Sequence, residues 1–255
     1  MPQLFQSGMV FQRGKTIPVW GKANPGEAIT VTFNKKTYTA IADTEGKWRV
    51  DLPKMKAGGP YLMKINDLEI DNILIGDVWL LSGQSNIDVH IERVYPQYTK
   101  EIDSYENTQI RLFRVQNETD VHGVRDDIRP TPINWKPLNK QNAWPFSAAG
   151  YFLGKQMFEK TKVPQGIIVN SWGGTPIEAW ISKDSLEKAY PMLVRKTQLY
   201  QNDNYVKHQA IANGEVSKQW EAILNASDPG LLQNWTATTY DDASWQQINQ
   251  YDWGS

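Results

Sequence analysis

The chain has 255 residues, 40% hydrophobic and 22% charged, a composition that excludes a disordered tail, a coiled coil and a collagen-like rod. Lys plus Arg total 27 against 28 for Asp plus Glu, a formal charge of -1, so no basic footprint points to nucleic acid. No apolar run approaches the ~20 residues that span a bilayer, and with no cysteine there is no disulfide, thiol nucleophile or Cys-based zinc site.

His90, His122 and His208 are the three histidines, too few for a histidine-rich metal centre. Met1 is not followed by a basic stretch and an apolar segment, so no secretory leader is read here. Eleven tryptophans are a heavy aromatic load. Flat indole faces suit sugar-binding clefts and also fill cores.

Residues 1–76 read as an antiparallel β-sandwich, because short apolar runs alternate with turn signals. Ile17–Gly21 leads to the turn Asn24-Pro25-Gly26, and Ile29–Phe33 alternates. Asn34-Lys35-Lys36 predicts a hairpin into Thr37–Ala40. Asp43–Gly46 turns into Trp48–Leu52, and Gly58-Gly59-Pro60 leads into Tyr61–Ile65. No titratable cluster stands out, which fits a scaffold.

The pattern changes near Asp77. Val78-Trp79-Leu80-Leu81 is a continuous apolar run, as in a strand buried on both faces. Ile110–Val115 and Gly166–Asn170 are two more strand candidates. Ser147 is positioned to cap a helix carrying Phe152, Leu153 and Met157. Strands alternating with helices predict a parallel α/β sheet over 77–212, with ligands beyond the carboxyl ends of the strands. Residues 183–224 read as mostly helical. Over 213–255, Trp235, Tyr240, Trp245, Tyr251 and Trp253 among small polar residues predict the start of an inserted β-rich domain.

Two loops leave the strand ends: Ser82-Gly83-Gln84-Ser85-Asn86 and Ser171-Trp172-Gly173-Gly174-Thr175. Ser85 stands where α/β folds display a nucleophile, a position that also suits a helix-capping serine. Gly173-Gly174 leaves backbone N–H groups free to donate to an anion, or is an ordinary glycine turn. The amides of Asn86 and Asn170 suit donation to a ligand or turn stabilisation. Glu178 and Trp180 lie close enough in sequence to shape such a site or to pack beside it.

Together these residues carry a resemblance. Gly76-Asp77-Val78-Trp79 with Leu81–Asn86, and Val169–Trp180, resemble two blocks of the sialate O-acetylesterase family. The stretch with Gly8–Arg13 and Pro25-Gly26-Glu27 is similar to that family's leading β domain. The resemblance implies a three-layer α/β fold of the SGNH hydrolase type, here incomplete. It implies a serine esterase that removes O-acetyl groups from sialic acid or related glycans through an acetyl-enzyme. Ser85 is then the nucleophile and Gly173 and Gly174 serve the oxyanion hole. Gln84, Asn86, Asn170 and Trp172 face the substrate, and no cofactor is needed. Arg93 and Arg114 are candidates for a sialate carboxylate. A secreted or periplasmic address goes with such a substrate.

One part of the pattern is missing. Family members carry their base in a late Asp-x-x-His-Pro-type block, after a Trp-Tyr-Gln-Gly-Glu-type block, and neither occurs here. His90 is five residues from Ser85 and expected on the following helix. The chain therefore reads as an amino-terminal portion, nearly inactive alone, whose partner is the remaining carboxy-terminal half or a second copy of itself. A different reading keeps the Trp-rich cleft as a non-catalytic carbohydrate binder.

Overall fold

The computed structural model describes residues 1–128 and 135–247. The chain divides into two compact units, 1–181 and 182–255.

The first unit is mixed α/β around a large sheet. Its strands are β1 (Val10–Gln12), β2 (Ile17–Lys22), β3 (Ala28–Phe33), β4 (Lys36–Ile41), β5 (Lys47–Leu52), β6 (Gly58–Ile65) and β7 (Leu68–Gly83). After α1 (Ser85–Asp88) and α2 (Ile91–Ser104) come β8 (Asn107–Arg114), β9 (Lys136–Leu138), α3 (Ala148–Thr161) and β10 (Gln165–Ser171). The sheet runs β4-β3-β6-β7-β10-β8-β9, with β1 added to β7, and β2 pairs with β5 in a separate ribbon.

Alternation explains the first half. Ile17 and Val19 of β2, Ile29, Val31 and Phe33 of β3, and Trp48, Val50 and Leu52 of β5 are buried, with polar neighbours facing out. The ribbon and the sheet meet in one apolar cluster that includes Met63, Ile73 and Ile75. Asn34 and Lys35 both have positive φ and join Phe33 to its partner Lys36, so the expected hairpin forms with a two-residue turn and Lys36 already belongs to the strand. Gly21 faces Trp48 in register, and a β-carbon there would stand 2.9 Å from the indole.

β7 is a 16-residue strand that belongs to both halves. Residues 68–75 pair antiparallel with β6, and Leu74–Gly76 pair parallel with β1. From Asp77 onward the strand pairs parallel with β10, and β10 pairs parallel with β8. The change of character near Asp77 thus falls inside one unbroken strand. Arg13 fixes the crossing point with a two-pronged ion pair to Asp77, Nε to Oδ1 at 2.8 Å and Nη2 to Oδ2 at 3.0 Å.

The expectation that Val78–Leu81 is buried on both faces fails at Leu80, which is 67% exposed. Among the described residues β10 is the one strand paired with this stretch, so it is a sheet edge. A second cluster covers β8 and β10 with α3: Ile110, Leu112, Ile167, Tyr151 and Phe146 are buried in it. Ser147 caps α3 as expected, its Oγ accepting from the Gly150 N–H at 3.2 Å. Gly150 and Gly154, one turn apart, let the helix lie close, because β-carbons there would stand 2.9 and 2.8 Å from Ile167 and Ile110.

Arg111 is buried, and among the described residues it has no carboxylate partner. Its Nη1 donates to the carbonyls of Gly8 and Asn72, both at 2.7 Å, its Nη2 to Asn72 Oδ1 and its Nε to Thr108 O. Burial lowers its pKa below the ordinary arginine value. Tyr151, on α3, is fully buried, and burial, then the nearby Glu101, push its hydroxyl up to about 12.

The second unit is helical: α4 (Lys183–Ala189), α5 (Pro191–Leu199), α6 (Asp203–Ser227) and α7 (Pro229–Leu232). This agrees with the helical reading of 183–224. It corrects the β-rich reading of 213–255, since no strand occurs among described residues 213–247. The physical reason is local. Ala, Glu, Lys, Gln and Leu continue the helix to Ser227, and Asp228 caps α7 through the Gly230 N–H. Trp235, Tyr240 and Trp245 cluster instead as stacked edges, with Trp235 and Trp245 centroids 5.1 Å apart. Tyr251 and Trp253 lie outside the described residues. No helix among the described residues is long and apolar enough to cross a membrane.

Candidate active site

The site forms where β7 and β10 end side by side, with Ser82 opposite Asn170 and Gly83 opposite Ser171. Gly83 has φ +149°, a conformation that side-chain-bearing residues avoid, and it turns the chain directly into α1. The cap position of α1 is Gln84, and Ser85 is the first helical residue. The capping reading of Ser85 is therefore not what the structure shows. Ser85 is exposed, and its hydroxyl has no hydrogen-bond partner among the described residues.

The second loop reaches back across the gap. The Trp172 N–H donates to Gly83 O at 3.0 Å. Gly173 then lies against the serine, where an added β-carbon would be 3.4 Å from Ser85 Cβ and 3.8 Å from its nitrogen. Gly174 follows with φ +79°. The loop is braced from within: Thr175 Oγ1 donates to Trp172 O at 2.7 Å and accepts from Trp180 Nε1 at 2.9 Å. Trp180 belongs to a 3₁₀ turn, Ile177–Trp180, that also carries the half-buried Glu178.

The structure thus brings Ser85, Gly173, Asn170 and Trp172 to one end of the sheet. Trp172 is 37% exposed. Gln84 commits its side-chain amide to the Thr175 carbonyl, a tie between the two loops. Asn86 is exposed on α1. His90 is the residue that caps α2 rather than a member of that helix. Its Nε2 meets the Arg114 guanidinium, so it faces a cation rather than the serine hydroxyl. Arg114 also pairs with Asp88, Nη2 to Oδ1 at 2.7 Å, and so is already engaged. Arg93 is exposed on α2. His122 and His208 are both exposed.

Three residues given no site role from the sequence support this geometry. Asp88 closes α1, Ser171 donates to Asp88 Oδ1 at 3.1 Å, and Ser147 donates to Ile87 O at 2.6 Å. Asp88 lies one helical turn from Ser85, a spacing that marks it as a neighbour. Ser147 is legible as the cap of α3, but nothing local ties it or Ser171 to the site. Among the described residues no group of three His, Cys, Asp or Glu is arranged to hold a metal ion.

Residues 75–218 match the model of the family described as carbohydrate esterase, sialic acid-specific acetylesterase. The chain belongs to that family. Human sialate O-acetylesterase is 32% identical over 192 residues, 66% of this chain and 36% of the human protein. The mouse sialate O-acetylesterase is 30% identical, over 66% of this chain and 35% of its own length. The chain therefore spans about a third of the curated relatives it matches. The crystal structure of a carbohydrate acetylesterase from Xanthomonas citri superposes with a TM-score of 0.68 at 37% identity, covering 73% of this chain and 43% of that one. The family match contains both loops of the candidate site and extends into α6.

Proposed function

We propose that this chain carries the nucleophile half of a serine carbohydrate esterase of the SGNH type. It acts on O-acetylated sialic acid or a related acetylated glycan, and Trp172 offers the sugar an indole face. The observation that carries this reading is the placement of an unbonded, exposed Ser85 hydroxyl against the Gly173 loop. Neither the Ser85 nor the Gly173 backbone N–H is used in a hydrogen bond among the described residues, so both are free to receive the oxygen of a tetrahedral intermediate.

In the reaction, Ser85 Oγ attacks the acetyl carbonyl and its proton passes to a base. The carbonyl re-forms as the sugar alkoxide leaves with a proton, and water then hydrolyses the acetyl-serine to acetate. Among the described residues no side chain is hydrogen-bonded to the serine hydroxyl. A positioned acid–base group contributes about 10²–10⁴-fold, so the expected rate for these residues alone is near background. On this reading the base is a histidine, and none of His90, His122 and His208 is hydrogen-bonded to the serine hydroxyl.

The test measures acetate release from O-acetylated sialic acid and from acetylated xylan, with imidazole added to the solution as a surrogate base. The signal is the difference between the unaltered chain and Ser85→Ala. Imidazole-dependent release that vanishes in Ser85→Ala is the expected result. Equal release by both proteins overturns the serine reading, and retention of the glycan on immobilised protein without release points to a binder.

A further inference from the structure

We propose that Arg114 and Asp88 are positioning residues, a clamp that fixes the Ser85 helix against the Gly173 loop. The proposal deepens the serine-esterase reading and rests on it.

The helix that carries Ser85 cannot orient itself. It has four residues, none of them buried, and no side-chain cap. Isolated helices shorter than ~12 residues are marginal in water, so its direction must come from outside. One carboxylate oxygen supplies much of that direction. Asp88 Oδ1 receives the Arg114 guanidinium at 2.7 Å and the Ser171 hydroxyl at 3.1 Å. Asp88 stands three residues after Ser85, and Ser171 stands two residues before Gly173. The same oxygen therefore joins the two sides of the gap in which the acetyl group would react.

Arg114 is a suitable anchor because its backbone is fixed. It ends β8 and lies opposite Val169 of β10 in the parallel register. Its second arm meets His90 Nε2, which holds the residues just beyond α1. A guanidinium fork that spans two acceptors sets angle as well as distance, which an ammonium cannot do. The pair is partly shielded, with side chains 26% and 37% exposed. Small displacements matter at such a gap, since a ~1 Å shift of a reacting group costs about 10²-fold.

Amide hydrogen exchange reads the clamp without any chemistry. In Arg114→Ala and Asp88→Asn, exchange in segments 83–90 and 171–175 should accelerate about tenfold, while β2–β5 amides stay as they were. Arg114→Lys should restore little, because it keeps the charge and loses the fork. Arg125→Ala, which removes an exposed ion pair with Asp120, should change neither segment. Unchanged exchange in both segments overturns the clamp, and so does faster exchange throughout the unit, which would mean general destabilisation.

A second measurement separates this proposal from the reading beneath it. With imidazole present, Ser85-dependent acetate release should fall through kcat in Arg114→Ala, with KM held. If exchange responds but the unaltered chain shows no Ser85-dependent release, the clamp stands and the esterase reading falls. If release is Ser85-dependent and Arg114→Ala leaves kcat intact, the positioning role falls and the esterase reading stands.

Discussion

Gly173 stands against Ser85 so closely that a β-carbon on the glycine would rest 3.4 Å from the serine Cβ. That distance is ordinary van der Waals contact, so alanine fits without moving the backbone. On the proposed mechanism the methyl would intrude on the space beside Ser85 where the acetyl carbon would sit. Gly173→Ala is expected to keep the thermal midpoint, with a stability change within ~0.5 kcal/mol. Ser85-dependent acetate release should drop about tenfold or more, equivalent to ~1.4 kcal/mol in the barrier. Equal release with alanine at 173 would remove the glycine from the reacting gap.

Trp172 is exposed at the same edge, and its backbone N–H is bonded to Gly83 while its indole is free to meet a ring. If Trp172 stacks on the sugar as proposed, removing the indole removes apolar contact with substrate more than it disturbs the serine. For Trp172→Ala, KM on an acetylated sugar should rise about tenfold, ~1.4 kcal/mol of binding, with kcat nearly unchanged. A small activated acetate ester, having no sugar to stack, should show no such rise. Initial-rate kinetics on the two substrates checks this.

Arg111 gathers the carbonyls of Gly8, Asn72 and Thr108 from three separate segments. Lysine cannot present the same fork of donors, so Arg111→Lys leaves buried acceptors without partners. The expected loss is about 3 kcal/mol, since a hydrogen bond to a charged group contributes ~1.5–3 kcal/mol and more than one is broken. Urea unfolding followed by tryptophan fluorescence measures it. A loss below ~1 kcal/mol, on the order of a surface change, would contradict the view that Arg111 ties these three segments together.

Tyr151 gives a pH signature. Its folded pKa of about 12 lies above the unfolded value of about 10. Below pH ~10 both states are protonated and the buried hydroxyl adds no pH dependence. Between the two values the unfolded chain loses the proton and the folded chain keeps it. Stability therefore falls as pH rises, on the order of 2–3 kcal/mol by the upper end. Tyr151→Phe should flatten that part of the curve while changing little at pH ~7, where both forms are neutral. Parallel denaturation curves for the two proteins at high pH would exclude the assignment.

Much of this architecture is legible in the sequence because its causes are local. Alternation at Ile29–Phe33 sets a strand, Asn34-Lys35 sets a hairpin, and Ser147 sets a helix start. The two site loops are legible as glycine breaks after apolar strands, and their meeting follows from parallel pairing of those strands. What the sequence hides has two sources, contacts between residues far apart in the chain and competition between neighbouring local signals. Leu80 reads as core until the sheet is seen to end at its strand. The run of small polar residues and aromatics near Asn225 resembles β punctuation, yet the helix formers before it carry α6 through Ser227. Asp88, Arg114 and Ser171 each look unremarkable alone, and only their convergence on one oxygen gives them a role.

The unbroken course of β7 has a mechanical meaning for the molecule. Its first half is stitched into the leading β strands and its last residue, Gly83, is the bend that leads to Ser85. Those leading strands are thus the foundation in which the site is embedded, not a pendant that can be trimmed away. A bend or slippage at Val10–Gln12 would travel along a stiff ribbon and re-aim Ser85 from some distance off.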